Sequence, residues 1–118
     1  MELTDLERFG FNLSEAMELC VDDEEILREV LETALEEGRE KIPFLIELME
    51  NKDYDRYVVE VHGLKNAAKQ IGADELSEEA KLSEFAGKEG RIDDMRARHD
   101  HLIELYKNIV DALEKFFA

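Results

Sequence analysis

Residues 61–73, Val61-His62-Gly63-Leu64-Lys65-Asn66-Ala67-Ala68-Lys69-Gln70-Ile71-Gly72-Ala73, hold one histidine, two lysines and no carboxylate. The chain around them has 118 residues, with 31 Asp and Glu against 15 Lys and Arg and a formal charge of −16. Were the acids scattered at random, a gap this long would fall at a given place roughly one time in fifty, so the local charge is arranged. A neutral imidazole is a good nucleophile near pH 7. His62 is therefore the first candidate for chemistry. Lys65 and Lys69, one and two helical turns on, make its surroundings positive.

The element that must carry this group is a helix from about Asp53 to Gln70, with Tyr54, Tyr57, Val61, Leu64, Ala68 and Ile71 on its core face. At 100° per residue, His62 lies about 130° from the centre of that face, on the solvent side. Gly72 is a suitable stop for the helix, and Asp74 is placed to cap the next. Upstream, Asp22-Asp23-Glu24-Glu25 reads as a capping box. From it an apolar line runs Leu27, Leu31, Ala34, Gly38, Ile42, Leu45, Met49, in register through Pro43. One long helix kinked at Pro43 is expected, with Gly38 admitting a neighbouring backbone. Glu75 to Lys88 forms a helix whose inner side is mostly small (Leu76, Ala80, Leu82, Ser83, Ala86, Gly87). Ile92 to Phe117 forms a last long helix. Before them, Asp5 to Phe9 and Asn12 to Leu19 make two short helices too small to stand alone.

These elements predict an all-α fold, an antiparallel up-and-down four-helix bundle preceded by short N-terminal helices. A single domain over 1–118 is expected, with short helices to about residue 21 and the bundle over 22–118. The acidic balance argues against nucleic acid and anionic membrane as partners. Cys20 is the sole cysteine, which rules out an internal disulfide, fits a reducing compartment and reads as a small buried residue. No leader pattern or membrane span is visible, and a cytoplasmic monomer is expected.

His62-Gly63-Leu64-Lys65, followed by Ile71-Gly72-Ala73 and Leu76, resembles the histidine-containing phosphotransfer (HPt) domains of multistep phosphorelays. The resemblance spans most of the chain. It implies that Nε2 of His62 carries a phosphoryl group, that Lys65 sets its ammonium beside the phosphoryl oxygens, and that Lys69 adds charge a turn away. Glu84, twenty-two residues after His62, stands where many members place an acid or amide facing the imidazole. It either accepts from Nδ1–H there or is a solvated surface carboxylate. Gly63 and Asn66 are expected to meet a docking partner, although the commonest family pattern has glycine where this chain has Asn66. Phe85 either joins Phe9 or Phe11 in an apolar docking rim or packs under the N-terminal helices. The implied partners are response-regulator receiver domains and a sensor histidine kinase, of the simple or the hybrid kind. No cofactor is expected on this chain, with Mg²⁺ held by the receiver.

Other classes fit less well. A di-iron bundle needs Glu-x-x-His pairs, but Val59, Arg96 and Arg98 stand three before the histidines. The phosphoacceptor domain of a sensor kinase usually follows its histidine with an acid and, later, a proline, whereas Gly63 follows His62. There is no Gly-rich ATP motif, so self-phosphorylation and enzymatic turnover are not expected. An HPt-like interaction module that binds receivers without carrying phosphate is the remaining alternative. His99 and His101, two apart, point to different sides of their helix, and His99 reads as a core-edge residue.

Overall fold

The computed structural model describes residues 1–118 and is all-helical. A 3-10 segment, Leu3–Phe9, leads into α1 (Leu13–Leu19), α2 (Glu24–Glu50), α3 (Tyr54–Gln70), α4 (Asp74–Lys88) and α5 (Ile92–Phe117). The first segment is a 3-10 helix where a short α-helix was expected. It ends at Gly10 in the left-handed region.

Side chains start three of these helices. Asn12 accepts from the Glu15 N–H, Asp23 from those of Glu25 and Ile26, and Asp53 from that of Arg56. The expected cap at Asp74 does not form. Ala73 is the N-cap without a side-chain bond, and Asp74 lies in the first turn, where its charge suits the helix dipole. Its Oδ2 instead accepts from Asn12 Nδ2 at 3.3 Å. α2 runs unbroken through the exposed Pro43, because its apolar face continues on both sides. That face is wider than the predicted line: Leu35 and Leu48 are buried too.

Among the long helices, α3 packs on α2 and α4, and α5 packs on α4 and α2. One hydrophobic core draws on every element, from Leu6 and Phe11 through Leu31, Tyr57 and Ala80 to Met95 and Leu113. Gly38 does not admit a backbone, as expected from sequence, but side chains. A Cβ there would collide with Val110 Cγ2 and stand 3.2 Å from the Tyr106 ring. At the other end, Gly72 has φ +73° and accepts from the Asn12 N–H at 2.7 Å, and any side chain there would strike the Asn12 backbone. This contact and the isolated bridge between Phe11 and Ala73 tie the N-terminal segment to the end of α3. His99 is buried. Its Nδ1 lies 2.7 Å from the Tyr57 hydroxyl, and burial lowers its pKa, so as a neutral ring it links α3 to α5 across the core.

Candidate functional site

His62 stands in the middle of α3 with its ring 52 % exposed. Tyr57, Val61, Leu64 and Ala68 of the same helix turn into the core, so the period that buries them holds His62 outward. Its Nδ1 faces α4, where Glu84 Oε2 lies 2.5 Å away. A carboxylate can only accept. Nδ1 of the neutral ring therefore carries the proton and Nε2 the lone pair, with no hydrogen-bond partner in the chain.

Glu84 is the centre of this arrangement and is only 1 % exposed. It lies on the inner side of α4 among Ala80, Ser83 and Ala86, not on the solvated surface. Lys65 Nζ donates to Oε1 at 2.7 Å, and Lys88 Nζ reaches Oε2 at 2.8 Å. Burial by itself raises the carboxyl's pKa. Hydrogen bonds from Lys65, Lys88 and His62, with the charge of Lys65, more than offset that and hold it at about 2. The site thus holds one buried negative charge under two ammonium groups and an imidazole, a net positive setting on an acidic surface. Ser77 fixes the same turn of α3 by donating its hydroxyl to the Lys65 carbonyl.

Lys69 departs from the expectation. Its ammonium is 2.5 Å from Glu15 of α1 and 3.9 Å from Asp74, and the bond to Glu15 raises its pKa. It helps to hold the N-terminal segment on α3. Lys88 was missed from sequence, although its place one turn after Glu84 was the available signal.

Gly63 and Asn66 are exposed on α3 beside the ring, and a Cβ on Gly63 would meet nothing within 4 Å. Phe85 is 45 % exposed, with Lys81 Nζ 5.8 Å from its ring centroid, and it does not pack under the N-terminal helices. Nor does it form a rim with the other two aromatics. Phe11 is buried in the core, at the residue whose backbone pairs with Ala73. Phe9 sits beside Glu75 and Leu76 at the start of α4, about 15 Å along that helix from Phe85. The apolar neighbour on the His62 face is Val59, exposed one turn before the histidine, which the sequence reading did not single out.

Residues 29–115 match the model of the Hpt domain family. The chain belongs to that family. No curated protein and no solved structure matches it. Hpt domains work in phosphotransfer within phosphorelays. The part of this Hpt domain that matches includes the whole His62, Lys65, Glu84 and Lys88 group and leaves out the 3-10 segment and α1. No helix is long and apolar enough to cross a membrane.

Proposed function

We propose that this Hpt domain is a reversible phosphoryl carrier, an antiparallel four-helix bundle of α2–α5 in which His62 takes a phosphoryl group from the aspartate of one receiver domain and passes it to another. The observation that carries the reading is the buried Glu84 carboxylate on Nδ1, which leaves Nε2 as a half-exposed nucleophile. In the forward step the Nε2 lone pair attacks phosphorus. The N–P bond forms as the bond from phosphorus to the aspartyl oxygen breaks, and the aspartate leaves with that electron pair. The ring becomes cationic during attack, and Glu84, ionised at neutral pH, stabilises it through the Nδ1–H bond. Lys65 and Lys88, held on the same carboxylate, place two ammonium groups near the incoming phosphoryl oxygens. The reverse step returns the group to a receiver aspartate. The receiver supplies its acidic pocket and Mg²⁺, and this chain has no turnover of its own.

Gly63 supports docking over this face. A glycine inside a helix costs about 1 kcal/mol relative to alanine, and no contact within the chain requires one there. Close approach of a partner's backbone does. Asn66 and the exposed Val59 and Phe85 extend the same surface. Lys69 supports the carrier indirectly, by anchoring α1.

Incubation with a phosphorylated receiver domain is expected to leave an acid-labile, alkali-stable phosphoryl group on the protein. His62→Gln is expected to abolish that label without loss of helical content. A label that persists in His62→Gln rules the proposal out.

A further inference from the structure

On the side of α3 away from Glu84, a groove of about 320 Å³ opens between α2 and α3. Its floor is apolar, from Leu45, Leu64 and Ala67, and its rim carries Glu37, Glu40 and the Lys41–Glu60 ion pair. Gly63 lines it as well, so the groove begins one residue from His62. Two features set it apart from an ordinary acidic surface. Glu37 and Glu40 make no ion pair, whereas Glu60 is shared by Lys41 at 3.0 Å and Arg56 at 3.8 Å. Tyr106, from α5, reaches across the bundle past Gly38 to line the same groove. It is only 7 % exposed, and no side-chain hydrogen bond acts on its hydroxyl. Burial, then the charges of Glu37 and Glu60, raise its phenol pKa.

We infer that this groove is a guanidinium subsite: an arginine side chain of the receiver partner enters it, its stem on Leu45, Leu64 and Ala67 and its fork among Glu37, Glu40 and the Tyr106 hydroxyl. The volume is at the low end for small-ligand sites and suits one long side chain, not a helix or strand. A planar donor fork matches two carboxylates and a phenol oxygen better than a compact ammonium does. Charge gives the reason for such a subsite. A domain of charge −16 must approach a receiver at its acidic pocket, and a basic side chain seated beside His62 offsets that repulsion. The identity of the partner rests on the phosphoryl-carrier reading, but the guanidinium chemistry of the groove does not.

The test has two arms. In the first, the ¹⁵N-labelled full chain is titrated with ethylguanidinium chloride, against sodium chloride and ethylammonium chloride at equal ionic strength. Saturable amide shifts confined to Gly63, Leu64 and Ala67 are expected, with tighter binding of guanidinium than of ammonium. Glu37→Gln with Glu40→Gln, and separately Tyr106→Phe, should weaken that binding at least threefold while helical content is unchanged. Shifts equal to those with sodium chloride, tighter binding of the ammonium, or wild-type affinity in both variants would overturn the subsite. In the second arm, the Kd for the receiver domain used in the labelling experiment should rise about three- to tenfold in the Glu37→Gln, Glu40→Gln chain. An unchanged Kd overturns the assignment to the partner. Because neither arm depends on phosphoryl transfer, an absent His62 label refutes the carrier and leaves this inference to be decided on its own.

Discussion

Replacing Glu84 by glutamine keeps its shape and removes its charge, and the structure sets what this should cost. The carboxyl is held at about 2 against about 4.5 when unperturbed. At about 1.4 kcal/mol per pH unit, that difference corresponds to about 3 kcal/mol of stability at neutral pH. Lys88 and the His62 ring are half-exposed and can turn to water when the charge is lost, so about 2 kcal/mol is expected for Glu84→Gln at pH 7. The pH dependence is a sharper test than the magnitude. A folded value below the unfolded one means the contribution is full above about pH 4.5 and declines as the pH falls toward about 2. Between pH 5.5 and 3.5 the unfolded chain takes up a proton at this position and the folded chain does not. The difference between wild type and Glu84→Gln should therefore shrink by about 1.4 kcal/mol over that interval. Urea unfolding of both proteins at the two pH values measures it, since the other carboxylates cancel in the comparison. A difference that does not change with pH, or a glutamine variant as stable as wild type at pH 7, refutes the account of Glu84 as the charged centre of the site.

Other outcomes follow from single positions. Gly38→Ala gains helix propensity but drives a methyl into Val110 and the Tyr106 ring, and a net loss of about 1–2 kcal/mol is expected in the same unfolding assay. Val21 is 82 % exposed with φ +55°, a conformation a β-branched residue tolerates poorly. Val21→Asn should stabilise the fold by about 0.5–1 kcal/mol, raising the urea midpoint. The two lysines of the acid-free stretch should separate in transfer kinetics from a phosphorylated receiver. Lys65→Ala slows labelling of a still-folded domain, whereas Lys69→Ala leaves its rate near wild type, because only Lys65 contacts Glu84. Equal rates in the two variants would contradict that division.

Much of this protein was legible because a helix has one period. The apolar positions of α3 are enough to say that His62 faces away from the core, and those of α2 carry it through Pro43, since both statements need only the rotation per residue. The charge gap around His62 was legible for the same reason: it is local. Periodicity does not state which side chains meet across two helices, because that depends on their crossing and axial register. Glu84 illustrates this. Its helix alone leaves open whether it is solvated, and it is buried only because α3 brings Lys65 and the imidazole onto it. Lys69 has the same local setting as Lys65 yet is taken by Glu15, a residue of a helix that periodicity could not orient. Phe11 lies in the core where its backbone pairs with Ala73, a long-range contact that no side-chain pattern encodes. The sequence by itself therefore determined the helices, their inner faces and the outward histidine, all properties of one helix at a time. Tertiary packing alone decided which charges converge on His62 and which hold the N-terminal segment in place, because a buried carboxylate is tolerable only where several donors reach it together.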